Sequence, residues 1–362
     1  MPKSSYSKRY NFFKRVLTTI TENKFAVLLG YLGKKDKIRV KLKIGLQMSI
    51  ARDELLNLQV IKDAIDYGIS IEIKNQTMSL SAYPILDLKI GISDFSGTEQ
   101  LNVISIVLSC IQLGMEVDIQ KNDEDPADNK NCILVNPINK LVITQSGVRF
   151  FLDSIIPGIF AETFFRGIHS RPSSDFRGMT IMDVGANFGD SSLFFAKNGG
   201  KVYAVEPIKS NFGALERNTS LNNRLDLQLF NLAIGPEGTL TMSTKKDVLD
   251  GGASGFYLTG GETTEIVKSI PVALFLKSNG LKNIDLLKMD CKGCEKYLTS
   301  EDLRSVNQYL HIELDPNSEI QEIERLFTLV ESSGFEFKIL NHNPGSGIGK
   351  GRNFGMIYAK RK

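Results

Sequence analysis

Cysteine and histidine are scarce in this chain. Four cysteines and three histidines in 362 residues are too few for the disulfide framework of a small secreted domain. Cys291 and Cys294 have CxxC spacing, but one such pair supplies half a zinc site, and Cys110 and Cys132 are not a second close pair. The pair also falls too late in the chain for a thioredoxin-type motif. Packing thiols or a local disulfide is the plainer reading. No H-E-x-x-H or H-x-E…C-x-x-C arrangement is present, so no protein-bound metal is expected. Long apolar runs are missing too. No stretch approaches the ~18–20 residues of a membrane span. The start, MPKSSYSKRYNFFKRVL, lacks the apolar core and small-residue cleavage site of a secretory signal. A soluble, cytoplasmic protein is expected.

What the chain does have is an ordinary globular composition, with 42% apolar and 23% charged residues. At ~100–200 residues per domain its length suits about two domains. The net charge of +3 is unevenly spread: residues 1–43 hold twelve Lys/Arg against Glu22 and Asp36, a local +10 that leaves −7 for the rest. A basic amino-terminal arm suits peripheral contact with an anionic membrane surface; nucleic acid is the less specific alternative. Phe12, Phe13, Val16, Leu17 and Ile20 recur at helical spacing within it, so a solvated helix face is the plainer reading of the charges.

Two patterns divide the chain near residue 150. Residues 1–150 read as an accessory α+β region: hairpins over 37–50 and 69–82, helices over 53–67 and 99–113, a polar loop over 122–130, and short strands at 132–135 and 140–144. No chemical constellation occurs there. Residues 151–362 alternate strand and helix. Strands are expected at 180–184, 201–205, 227–231, 284–289, 309–314, 335–340 and 354–359, with helices at 190–197, 209–222 and 318–333. This is the pattern of a doubly wound α/β sheet, whose sites lie beyond the carboxyl ends of its strands.

The strongest motif is MTIMDVGANFGDSS, Met179–Ser192. An apolar strand runs into Asp183, Gly185, Asn187 and Gly189, and a helix follows. Gly185 lets the backbone turn tightly and lets a ligand approach without a Cβ in the way. Gly189 is expected to let the helix start pack close to the strand. Asp190 can cap the helix or meet a ligand. The next strand ends in Glu206-Pro207, and an acid there suits both hydroxyls of an adenosine ribose. A dinucleotide loop wants G-x-G-x-x-G against its pyrophosphate. Here Ala186-Asn187 fills that stretch, and Asp190 suits a sulfonium or ammonium better than a phosphate. An NAD-dependent oxidoreductase is therefore the weaker reading.

These marks, together with Ile284-Asp285-Leu286-Leu287-Lys288-Met289-Asp290-Cys291-Lys292-Gly293-Cys294-Glu295, resemble the FkbM family of S-adenosylmethionine-dependent methyltransferases over about residues 162–359. The resemblance implies a class I methyltransferase fold, Rossmann-like, with seven strands and an antiparallel last strand. It implies S-adenosylmethionine held by Asp183, Gly185, Ala186, Asn187, Gly189, Asp190, Glu206, Pro207, Asn211 and Ala233. It also implies O-methylation of a hydroxyl on a sugar, a glycan or glycolipid, or a small metabolite. One departure is plain: Lys292 stands where the family usually has an acid. A non-catalytic binding module that retains the fold is the other alternative.

Asp290 ends the fourth strand, where the transferable methyl belongs in such a fold. It can contact cofactor or acceptor, or cap the following segment. Gly293 supplies the turn. His311, Glu313 and Glu295 are the candidate bases, with surface salt bridges as the bland alternative for the two acids. His311 is favoured because an ordinary imidazole titrates near neutrality. His169 is expected on a segment covering the pocket. The loop GSGIGKG, Gly345–Gly351, is not a P-loop, since Pro344 stands where glycine is required and Gly351 where Ser/Thr is.

Overall fold

The computed structural model describes residues 17–32, 35, 37–44, 47–51, 55, 58–74, 77–82, 86–91, 94–119, 132–171, 173–244, 263–314, 318–341 and 355–362. The start of the basic arm with Phe12, Phe13 and Val16, the polar loop 122–130, His342 and the 345–351 loop lie outside the described residues. The chain divides into two compact units, Met1–Ala161 and Glu162–Lys362.

The first unit is α+β. Lys37–Lys41 pairs antiparallel with Gln47–Ala51, and Ser70–Lys74, Thr77–Ala82 and Leu86–Gly91 form an antiparallel meander. The helix Gly97–Gln112 starts at a capping box, in which Ser96 accepts from the Glu99 N–H and Glu99 accepts from the Ser96 N–H. The division falls at 161/162 rather than near 150 because the intervening segment packs into this unit. Asn102 Nδ2 donates to Leu152 O at 2.7 Å, and Phe150 meets Phe160 edge-on at 5.5 Å. Three strands escaped the sequence reading, Leu86–Gly91, Glu116–Ile119 and Arg149–Phe151.

The second unit is built on a seven-stranded sheet. Its elements are β1 (Thr180–Val184), α1 (Asp190–Lys197), β2 (Lys201–Val205), α2 (Lys209–Ser220), β3 (Leu227–Phe230), β4 (Ile284–Met289), β5 (Val306–Leu314), α3 (Ile320–Ser332), β6 (Phe335–Asn341) and β7 (Gly355–Arg361). The spatial order is β3-β2-β1-β4-β5-β7-β6. Strands β1 to β5 pair in parallel, while β7 lies antiparallel between β5 and β6. The central strands are apolar because helices cover both faces. One face carries a core around Met182, Val205, Phe275, Leu287 and Leu310, and the other a core around Ile181, Phe195, Val202 and Leu286. A three-stranded sheet of Ala233–Ile234, Gly238–Thr244 and Thr263–Ile270 is inserted between β3 and β4. The sequence reading missed all three strands, since none of them belongs to the alternating βα pattern.

The strand order reverses between β1 and β4, which leave the sheet centre in opposite directions of connectivity. That reversal opens a crevice at the carboxyl ends of β1, β2, β4 and β5.

Candidate active site

The crevice begins at the turn after β1. Gly185 has φ 77°, and a Cβ there would lie 2.0 Å from Asp290 O. The bare Cα is thus required by the backbone leaving β4, whereas the sequence reading assigned that space to a ligand. Gly185 and Ala186 donate their N–H groups to Val205 O at 2.9 and 3.1 Å, which ties the turn to β2. Asn187 takes φ 49°, a conformation that asparagine tolerates better than most residues. Phe188 O accepts from Asn218 Nδ2 at 2.9 Å. A Cβ on Gly189 would come 2.8 Å from Leu215 Cδ1. The contact is with a side-chain tip that can shift, and what favours glycine there is its φ of 95°, in the left-handed region.

Beneath this turn lies a sealed ion pair. Lys288 Nζ sits 2.9 Å from Asp183 Oδ1 and donates to Gly185 O at 2.9 Å. Asp183 Oδ2 also accepts from Ser191 Oγ at 2.7 Å and Ser192 Oγ at 2.5 Å. The Lys288 side chain is 3% exposed and that of Asp183 0%. Three acids, Asp183, Asp290 and Asp190, hold Lys288 protonated against the cost of burial. Asp183 is accordingly a positioning residue that shapes the turn from below. Lys288 was not among the candidate site residues, although a lysine inside the apolar strand IDLLKM was a visible signal. Asp190, at the start of α1, accepts from Thr163 Oγ1, and burial raises its carboxyl to about 7.

Glu206 stands just past β2. Oε2 accepts from the Asn187 N–H and Oε1 from the Ile208 N–H, both at 2.9 Å. Burial raises its pKa to about 7, opposed by these two N–H groups, by Lys288 and by a hydrogen bond with Asn211. Asn231 Nδ2 donates to the carbonyls of Glu206 and Pro207 and so frames the same corner, a role the sequence reading missed. Ala233 is buried two residues further on.

Across the crevice, Asp290, Lys292 and Glu313 form a second charged cluster. Lys292, at φ 52°, puts its ammonium 2.8 Å from Asp290 Oδ1 and in contact with Glu313 Oε2. Side-chain exposures are 22% for Lys292, 32% for Asp290 and 12% for Glu313. Against burial, Lys292 and a hydrogen bond from Glu313 hold Asp290 below the usual carboxylate range. Burial and the adjacent Asp290 charge push Glu313 well above it. Two neighbouring carboxyls are driven apart, and the proton they share rests on Glu313. Glu162 joins from the other side, its pKa raised by burial and then by Asp290.

The remaining candidates lie elsewhere. His311 is fully buried, 5.1 Å from the Tyr358 ring and 6.3 Å from Phe195. Burial, then the neighbouring His169 and Lys288, push its pKa down to about 3. The near-neutral titration that favoured it as a base is therefore lost. His169 is buried against Phe194 and Phe195 on a turn where Tyr358 Oη donates to Ile168 O at 2.7 Å. Glu295 is buried and accepts from the Gly293 N–H at 2.9 Å, away from the Asp290 cluster. Cys291 and Cys294 are joined in a disulfide. With Glu295 they form the one group of metal-type donors close together among the described residues.

Residues 183–337 match the family model described as Methyltransferase FkbM domain. The chain carries an FkbM methyltransferase domain. Its cofactor is S-adenosylmethionine, and its sheet is that of a class I methyltransferase. The residues fit the cofactor: Glu206 spends part of the roughly four acceptor sites of a carboxylate on backbone, leaving capacity for ribose hydroxyls. Asp290, held ionised and partly exposed, places negative charge where a cationic ligand is needed.

Solved structures to which the chain is similar include a precorrin-6y C5,15-methyltransferase from Geobacter metallireducens GS-15, at 12% identity and TM-score 0.34, covering 57% of this chain and 88% of that one. Fibrillarin from Aeropyrum pernix with bound S-adenosyl-L-methionine is similar at 12% identity and TM-score 0.35, covering 80% and 98%. No curated protein matches the chain. Among the described residues no helix is long and apolar enough to cross a membrane.

Proposed function

We propose that this FkbM methyltransferase domain transfers a methyl group to a hydroxyl oxygen of a sugar, a glycan or glycolipid, or a small metabolite, with Glu313 as the base. The observation that carries the reading is the half-open Asp290–Lys292–Glu313 cluster at the carboxyl ends of β4 and β5. S-adenosylmethionine supplies an activated methyl on a sulfonium. Glu206, Asn211 and the Gly185–Gly189 turn hold and orient it. As the acceptor oxygen is methylated it must lose its proton, and a base works best when its proton affinity approaches that of the medium. Burial and then Asp290 raise the proton affinity of Glu313 above that of an ordinary carboxyl, the direction a base requires. Asp290 stays ionised and accepts a hydrogen bond from the acceptor. Lys292 holds both acids in place. Transfer of labelled methyl from S-adenosylmethionine into glycan, glycolipid and small-molecule hydroxyl fractions tests this. Label found only on nitrogen, or undiminished in Glu313→Gln, would refute it.

The amino-terminal unit supports a partner reading of its own. Phe25, Leu29 and Leu32 are strongly exposed on the helix Lys24–Leu32. They share one face by their spacing and lie within the segment that carries the +10 balance. This surface suits peripheral contact with an anionic membrane. Cosedimentation with phosphatidylglycerol vesicles should exceed that with phosphatidylcholine and fall in Phe25→Ser/Leu29→Ser.

A further inference from the structure

The turn that carries Lys292 is closed by sulfur. Cys291 and Cys294 are bonded with a Cα separation of 5.6 Å, and between them stand Lys292 at φ 52° and Gly293 at φ 118°. The turn also packs backbone to backbone on the cofactor loop. The Asp290 N–H donates to Val184 O at 2.9 Å, and Asp290 O with Cys291 N fills the space a Cβ on Gly185 would need. The two sulfurs differ in access: Cys294 is buried, while Cys291 is partly exposed. Glu295 Oε2 lies 3.6 Å from Cys291 Sγ, placed to accept an S–H hydrogen bond once that thiol exists. The other two cysteines are buried thiols, with Cys110 pushed up by burial and Cys132 raised to about 11. Thiol chemistry is thereby concentrated at Cys291–Cys294.

We infer that Cys291–Cys294 is a thiol–disulfide exchange site whose redox state sets the affinity of the adjoining site for S-adenosyl ligands. A thiolate of a small thiol or a protein dithiol attacks the accessible Cys291 Sγ. The S–S bond breaks, and its electron pair leaves on Cys294 Sγ, which takes up a proton. A second thiol attacks the external sulfur of the mixed disulfide and releases Cys291 as a thiol. The net change is one protein disulfide plus two thiols to one protein dithiol plus one external disulfide. Closed, the ring holds Lys292 in a left-handed conformation with its ammonium on Asp290 and Glu313, and holds the Asp290–Cys291 backbone against Gly185. Opened, the Lys292 backbone is free to relax toward ordinary φ, and the site loses preorganisation. The effect on affinity rests on the methyltransferase reading; the exchange itself does not.

The test uses the full chain equilibrated in glutathione buffers of graded ratio, then alkylated with N-ethylmaleimide and digested with trypsin. Cleavage after Lys288, Lys292 and Lys296 separates the two cysteines, so the oxidised form yields linked peptides 289–292 and 293–296, and the reduced form yields two singly alkylated peptides. A reversible transition confined to this pair is expected. S-adenosylhomocysteine should bind about threefold or more weakly to the reduced form than to the oxidised form, and Cys291→Ala/Cys294→Ala should abolish that dependence. Both cysteines alkylated at every ratio, or equal affinity in the two states, would overturn the proposal. Failure to bind S-adenosylhomocysteine in either state would count against the cofactor assignment and against the coupling, while the alkylation pattern still decides the exchange site.

Discussion

Two lysines stand between acids in this domain, and they do different work. Lys288 is sealed under the cofactor turn, where it meets the Asp183 carboxylate and the Gly185 carbonyl. Lys292 bridges Asp290 and Glu313 at the mouth of the crevice, where all three side chains keep some contact with solvent. The residue chemistry is nearly the same; the burial is not. A sealed pair is costly to break because one charge is left in low dielectric. A half-open cluster can exchange partners with an arriving hydroxyl. The difference separates shaping the site from doing chemistry in it.

Removing each lysine tests that contrast most directly. Lys288→Met strands the Asp183 carboxylate and should destabilise the domain by about 3–5 kcal/mol, read by denaturant unfolding. Pairing it with Asp183→Asn should recover part of the loss. Lys292→Met should cost far less stability. If the two single variants unfold alike, the distinction between sealed and open pairs fails.

Next in size is the acid on the open side. Glu313→Gln should lower turnover by about 10²–10⁴-fold while leaving S-adenosylhomocysteine affinity nearly unchanged by calorimetry. Glu206→Ala should do the reverse, weakening S-adenosylmethionine binding by about 1.5–3 kcal/mol, the scale of lost hydrogen bonds to a charged group.

The pH dependences are smaller and sharper. A base must be deprotonated to act, so wild-type turnover should rise with pH through the raised Glu313 pKa, above the usual carboxylate range. Lys292 lowers that pKa, so Lys292→Met should move the limb to higher pH. Asp190 works through stability. Its folded pKa of about 7 exceeds the ordinary 3.8, so the protonated form is favoured on folding. Its contribution is fully present below about pH 4 and is lost as pH rises toward 7. Relative to Asp190→Asn, the wild type should lose stability across that window, and parallel pH curves would contradict the buried assignment.

Several parts of the site were readable from residue order. Asp183-Val184-Gly185 after an apolar strand, Glu206-Pro207 after the next, and Asp290 after the fourth are local patterns tied to chain spacing, and α/β alternation places their ends at one crevice. The inserted sheet at 233–270 interrupts that alternation and was invisible for that reason. Asn231 and Thr163 act through contacts distant in sequence, which spacing does not reveal.

By itself, then, the order of residues determined the doubly wound fold, the cofactor turn and the strand ends where chemistry belongs, because backbone geometry, glycine freedom and apolar periodicity are local properties. Only tertiary structure decided which ionisable groups are charged and reachable. His311 and Glu313 lie two residues apart on one strand, and nothing in HIEL separates their roles. Packing against Phe195 and Tyr358 buries the imidazole and lowers its pKa to about 3. Burial and then Asp290, opposed by Lys292, raise the affinity of the Glu313 carboxyl for a proton. The physical reason is that desolvation and Coulomb energies depend on distances across the fold, which spacing along the chain does not set.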